Sequence, residues 1–225
     1  MQRITPIILL AGYIVLFTVL GLAPYDRAVW WAENLPILLL VGVLVVLHRW
    51  HCSSPLAYGL MACLVYLHTI GGHYTFERVP FDLVTQTFGF ARNHYDRVAH
   101  FSVGFYAFGI AELLLLRRAV NSRLVLFMFP VFAIATLACA YEIFEWGYAV
   151  SADPTAGIAV LGSQGDVWDA QKDMLADVLG ALFATGLFWL AYRRHPAFRS
   201  LGSGTGTGTP VALPTPPPHG SSPSR

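Results

Sequence analysis

Charge is scarce in this chain. Only 12% of its 225 residues are charged, while 56% are hydrophobic. That leaves too little polar surface to clothe a soluble domain of this length. Cysteine is scarce as well: Cys52, Cys63 and Cys139 are too few and too scattered for a disulfide framework or a zinc knuckle. Cys63 and Cys139 fall inside apolar runs, where a thiol behaves as a small hydrophobe. There is no long basic segment, and the net charge is +1, so nucleic acid is not an expected partner. Solenoid-spaced repeats, an HExxH metal motif and a serine or cysteine in a recognisable nucleophile setting are also missing.

What remains is a series of apolar runs, each near the roughly 20 residues that cross a bilayer core. The first spans Ile4 to Ala23. Its Gly21-Leu22-Ala23 ending is followed at once by Pro24, which argues against signal cleavage and for a retained helix. The second runs from about Leu35 to Leu47, flanked by Trp30, Trp31 and Trp50 as interfacial aromatics. The third opens on a Ser54-Pro55 cap and stops at Gly71-Gly72. A polar, partly aromatic loop covers 73–96. The fourth run spans Val98 to Leu116, the fifth Leu124 to Tyr148, and the sixth Asp169 or Met174 to Tyr192. The expected fold is all-α: a polytopic bundle of about six transmembrane helices over 1–199. From Ser200 onward Gly, Ser, Thr and Pro dominate, and 200–225 reads as a disordered tail.

Basic residues set the orientation. With the N-terminus inside, nine arginines fall on the inner side. Five basic residues (Arg27, Arg78, Arg92, Arg97 and Lys172) fall on the outer side. Both termini of the multi-pass chain are therefore expected in the cytoplasm. The acids are more lopsided. Glu112 lies near the inner end of the fourth helix, where Arg117 or Arg118 is the expected partner; the other 12 of 13 fall on outer loops or outer helix ends.

Those acids form a pattern. Asp166, Asp169, Asp173 and Asp177 fall within an arc of roughly 80° if the stretch is helical. Ala176, Gly180 and Ala184 overlap that face with the small-xxx-small spacing of closely packed membrane helices, so the stripe should face other helices and not lipid. Capping explains Asp166 and Asp169 as well as function does. It fails for Asp173 and Asp177, since an ionisable group below the interface is costly and usually functional or paired. Asp96 and His100 lie one turn apart at the start of the fourth helix, as an oriented general base, a metal ligand with its carboxylate partner, or a plain ion pair. Glu142 and Glu145 share a face at the end of the fifth. His68 and His73, beside the glycines ending the third helix, together with Glu33 and Asp26, complete the outer polar set. A histidine at an interface is more often incidental than a ligand.

Two functions follow from this set. In one, Asp96, His100, Glu142, Asp173 and Asp177 carry catalysis in an enzyme acting on a lipid-linked or cell-envelope substrate. A divalent metal would be held by Glu142, Glu145, Asp169, Asp173, His100 and His73; oxygen ligands suit Mg, Mn or Ca, and imidazoles admit Zn or Fe. In the other, the acids bind protons or cations in a small transporter, although the inner half offers almost no ionisable relay. A non-catalytic partner of an envelope complex is a third reading.

Several motifs also resemble a family of bacterial inner-membrane proteins, the YjdF-like family. They are Gly72-His73-Tyr74-Thr75, then Arg92-Asn93-His94-Tyr95-Asp96-Arg97 with His100-Phe101. Next come Glu142 and Glu145, then Asp166-Val167-Trp168-Asp169, Asp173, and Asp177-Val178-Leu179-Gly180. The resemblance runs from the first helix to Arg194. A looser one is to VanZ-like membrane proteins, linked to glycopeptide-antibiotic resistance. Their Asp-Lys-x-x-His-Phe is echoed by Asp96 to Phe101, and their Asp-x-x-x-Asn-x-x-Gly by Asp173 to Gly180 with Asp177 in place of asparagine. These resemblances imply an envelope setting and the location of a site, and they imply no reaction.

Overall fold

The computed structural model describes residues 4–152 and 154–202. Its elements are α1 (Thr5–Leu22), α2 (Arg27–His48), α3 (Pro55–Tyr74), α4 (Asp82–Phe88), α5 (Tyr95–Val103), α6 (Tyr106–Leu116), α7 (Arg123–Ser151), α8 (Pro154–Leu161), α9 (Asp169–Tyr192) and α10 (Pro196–Arg199). Six spans are long and apolar enough to cross a membrane: α1, α2, α3, α5 with α6, α7 and α9. The fold is all-helical, as the runs predict.

The helix starts follow local chemistry. Asp26 caps α2, its Oδ1 accepting from the N–H groups of Ala28 (2.7 Å) and Val29 (2.9 Å), while Arg27 donates back to the carbonyls of Gly21 and Leu22 that end α1. Ser54 caps α3 ahead of Pro55, and Ser122 caps α7. The structure thus places Asp26 as the cap of α2. Because this cap sets α2 going at Arg27, the helix begins two turns before the apolar run, and Glu33 and Asn34 become buried helical residues. The loops also carry helix the sequence did not suggest, in α4 and α8.

The fourth span breaks where it crosses α9. A side chain on Gly104 would collide with the backbone of Asp177, Gly180 and Ala181, and one on Gly180 with the Phe101 carbonyl. Two glycines meeting back to back allow this approach. Around the break the bonding tightens: Phe105 N–H reaches Ser102, and Ala107 N–H reaches Gly104. The expected stripe of small residues therefore does face a helix, with Ala184 fully buried and Gly180 at the crossing.

The bundle has two chemically different halves. Towards the termini, Phe108, Leu115, Leu126, Ile134, Ala184 and Phe188 form an apolar core, joined by Phe198 and Leu201. Leu201 belongs to this core, so the packed part extends past residue 199; 203–225, the rest of the expected tail, lies outside the described residues. Glu112 is fully buried at this end. It is met not by Arg117 or Arg118 but by the Ser54 N–H (2.7 Å), the Tyr192 hydroxyl (2.8 Å) and, at 3.9 Å, His51. His48 bonds the Tyr58 hydroxyl nearby (2.6 Å), so this half carries more polar groups than the sequence suggested. At the opposite end lie the acids. Large apolar side chains such as Ile8, Leu39, Phe132 and Leu190 are exposed along the spans, the surface a hydrocarbon solvent requires.

Candidate functional site

The site is built from the N-terminal turns of α5 and α9, the most extensively packed pair of helices. Asp169, Asp173 and Asp177 are all buried on one face of α9. Opposite them, α5 presents Asp96, Arg97 and His100. Arg97 bridges two aspartates at once, donating to Asp173 through Nη1 and to Asp169 through Nη2. His100 sits among three carboxylates. Its Nδ1 is 3.3 Å from Asp177, and its Nε2 is 3.7 Å from both Asp96 and Asp173. One ligand atom each from Asp96, His100 and Asp173 falls within 4.8 Å of the others, the spacing needed to hold a metal ion.

Neither aspartate weighed as a cap holds that role on α9. The N-cap position belongs to Trp168, without a side-chain bond. Asp169 is paired with Arg97 and, at 2.7 Å, with Arg92. Asp166 precedes the helix, accepting from Trp168 N–H and Lys172 Nζ. The Lys172 bond, then the Trp168 bond, hold its carboxyl below the usual carboxylate range. Arg92 and Asn93 tie the outer loops together. Arg92 also donates to the carbonyls of Gly162 and Ser163, and Asn93 donates to those of Glu77 and Val79 while pairing with the Gln164 amide. His94, beside them, is pushed down by burial first and then by the charges of Arg92, Arg97 and Lys172.

From α7, Glu142 and Glu145 approach the same region. Glu142 feels the charges of His100, Asp173, Asp96 and Asp177, and its Oε1 is buried without a hydrogen-bond partner. Glu145 is buried and feels Glu33, His100 and Asp96. His73 is placed differently: its Nδ1 bonds the Leu20 carbonyl (2.8 Å) and its ring packs on Trp30 and Tyr74. The structure spends that imidazole on the last turn of α1, and His73 is not among the ligand atoms brought together at Asp96, His100 and Asp173.

A second buried constellation faces the first. Glu33 Oε2 lies 3.1 Å from His68 Nε2 and accepts from the Tyr141 hydroxyl at 3.0 Å. Tyr141 stands between the two imidazoles, its ring centroid 6.0 Å from that of His68 and 6.5 Å from that of His100. His68, weighed as incidental from the sequence, is therefore paired, and Tyr141 was not singled out. The one local signal is the Asp26 cap, which shows that Glu33 is already inside α2; His68 and Tyr141 have no sequence signal that joins them to it. Between these walls lies a cavity of about 210 Å³, lined by Asp96, His100, Asp177, Glu145, His68 and Tyr141 on its polar side and by apolar side chains of α2, α3, α6 and α7 elsewhere.

Comparison with known proteins agrees with this membrane architecture. The chain is 32% identical to the inner membrane protein YjdF of Escherichia coli (strain K12) over 187 residues, which is 80% of this chain and 88% of that protein. No solved structure matches. Residues 5–194 match the family model described as predicted membrane protein (DUF2238). That match takes in all six spans and every residue of the outer site, and the chain belongs to this family of multi-pass membrane proteins.

Proposed function

We propose that the protein is a metal-assisted enzyme of the inner membrane that acts on a lipid-linked or cell-envelope substrate held in the outer cavity. The observation that carries this reading is the Asp96, His100 and Asp173 cluster, three buried ligand atoms within 4.8 Å of one another beside a cavity of about 210 Å³. The local charge supports it. Glu33, Asp96, Glu142, Glu145, Asp169, Asp173 and Asp177 gather in the outer turns against the guanidiniums of Arg92 and Arg97. So many carboxylates cannot all stay charged in a low-dielectric setting without protons or a cation.

Asp96 and Asp173 would hold the ion with His100, and Asp177, on the other ring nitrogen, would fix the imidazole's orientation. A bound divalent ion supplies Lewis acidity and a more acidic bound water. The Glu142 carboxylate, which has a buried oxygen without a hydrogen-bond partner, would accept a proton. Arg97 neutralises Asp169 and Asp173 from the outer side and is a positioning residue. The looser VanZ-like resemblance over Asp96 to Phe101 fits the same envelope setting.

The test is elemental analysis of purified protein, wild type beside an Asp173→Asn, Asp177→Asn double variant. A stoichiometric metal in the wild type, lost in the variant, is the expected result. Its absence from both overturns the metal chemistry.

One observation favours a second reading, proton or cation handling. The Tyr106 hydroxyl is buried without a partner, and Tyr106 borders both the outer cavity and a cavity of about 550 Å³ at the other end of the bundle, where His48 and His51 lie. Flux through liposomes containing the purified protein alone supports that reading, and its absence removes it.

A further inference from the structure

The outer cavity is selective in its chemistry. Its polar lining is made of the carboxylates Asp96, Asp177 and Glu145 with His68, His100 and Tyr141, and among the described residues neither a lysine nor an arginine lines it. The nearby Arg92 and Arg97 are already bonded to Asp169 and Asp173, which are not part of the lining. A phosphate or carboxylate entering here would meet three carboxyl groups and no ammonium or guanidinium group in the lining. A cation would find acceptors, in a low-dielectric wall that strengthens such attraction.

The cavity also has a waiting acceptor. Asp177 is 1% exposed, and its Oδ1 has no hydrogen-bond partner while Oδ2 is held by His100. A buried carboxylate oxygen without a donor costs free energy unless a ligand or water supplies one. The rings of Phe76, Tyr106 and Tyr141 add faces on which an ammonium group is favoured.

The rest of the wall is hydrocarbon, including Leu40, Leu64, Ile134 and Leu137. Leu137 is 58% exposed on α7, so this end of the cavity runs out to the lipid-facing surface. A ligand matching both ends carries a positive head and an alkyl tail.

We propose that the outer cavity binds an amphiphilic amine, with the ammonium group between Asp177, Glu145 and the Tyr141 ring and its alkyl chain along α2 and α7. This rests on reading the cavity as the substrate chamber, and it narrows the substrate to one bearing an amine. The metal cluster and the amine site share Asp96 and His100 at their border, while Glu145 and Tyr141 belong to the amine side alone.

The experiment uses purified full-length protein in a non-ionic detergent and radiolabelled dodecylamine, with dodecanol and dodecanoate as competitors of equal chain length. The expected result is saturable binding of one amine per chain, undisturbed by either competitor. Asp177→Asn and Glu145→Gln should each weaken it by at least about tenfold, with elution profile and thermal midpoint confirming the fold. Competition by dodecanol equal to that by unlabelled amine shows mere partitioning and overturns the proposal, as does tighter binding of dodecanoate. Metal content is read on the same samples. Stoichiometric metal without amine binding sinks this inference and leaves the metal reading standing. Amine binding without metal does the reverse.

Discussion

Gly104 and Gly180 meet where the fourth span crosses α9, so closely that neither could carry a side chain without striking the other helix's backbone. Each lies about one turn from a site residue, Gly104 after His100 and Gly180 after Asp177. The crossing therefore sets the height at which the imidazole meets its carboxylates, and the 3.3 Å approach of His100 to Asp177 depends on it.

Enlarging either glycine tests this dependence. Gly180→Val should lower stability by about 1–3 kcal/mol or more through overpacking. It should also pull His100 from Asp177, so that any metal bound by the wild type is lost along with stability. Thermal midpoint and metal content together check it. A variant as stable as the wild type would show that the crossing is looser than its geometry indicates.

Arg97 neutralises two aspartates, and its removal should be costly. Arg97→Gln leaves Asp169 and Asp173 buried with less positive charge, a change that typically costs about 3–5 kcal/mol. Adding Asp173→Asn to it should restore part of the loss, because one unpaired charge goes with the guanidinium. Denaturation of the single and double variants reads this out, and additive losses would show that the pair is not coupled.

His51, in the turn between α2 and α3, gives a pH dependence. Burial first, and then the charge of Arg117, hold its pKa below the ordinary 6.5, against the opposing pull of Glu112. The unfolded chain therefore takes up the proton more readily than the folded one, and this contribution to stability falls as pH drops through about 6.5. His51→Gln should lose less of its thermal midpoint than the wild type between about pH 7.5 and about pH 5.5. Parallel curves for the two proteins would exclude His51 as the source.

Topology has a direct measurement. A reporter fused at Arg118 should be active only as a cytoplasmic marker, and one near Gly162 only as an exported marker. The opposite pattern would put the acid cluster on the cytoplasmic face.

Six spans and their approximate limits were readable because long apolar runs between capping residues have few alternative structures. The inward-facing acid stripe of α9 was readable too, since Asp169, Asp173 and Asp177 lie at helical spacing beside Ala184 and Gly180. Glu33 was a candidate from the sequence, but its place inside a buried helix was obscured because Trp30, Trp31, Glu33 and Asn34 break the apolar run, and only the Asp26 cap reveals that the helix has already begun. His68 and Tyr141 are 35 and 108 positions from Glu33, and no local pattern joins residues so far apart. Arg97 counted only as an outer positive charge; its bond to Asp173 exists because α5 packs on α9. His73 misled for the complementary reason, since its partner, the Leu20 carbonyl, is a backbone group without a sequence signature.

The site draws on the second, third, fourth, fifth and sixth spans, so it cannot form until the last of them has been inserted. Until the last span is in place, Arg97 and His100 have only Asp96 of their own helix beside them and lack Asp169, Asp173 and Asp177. Completion of the acid and histidine cluster thus doubles as a mark that the whole protein has been inserted.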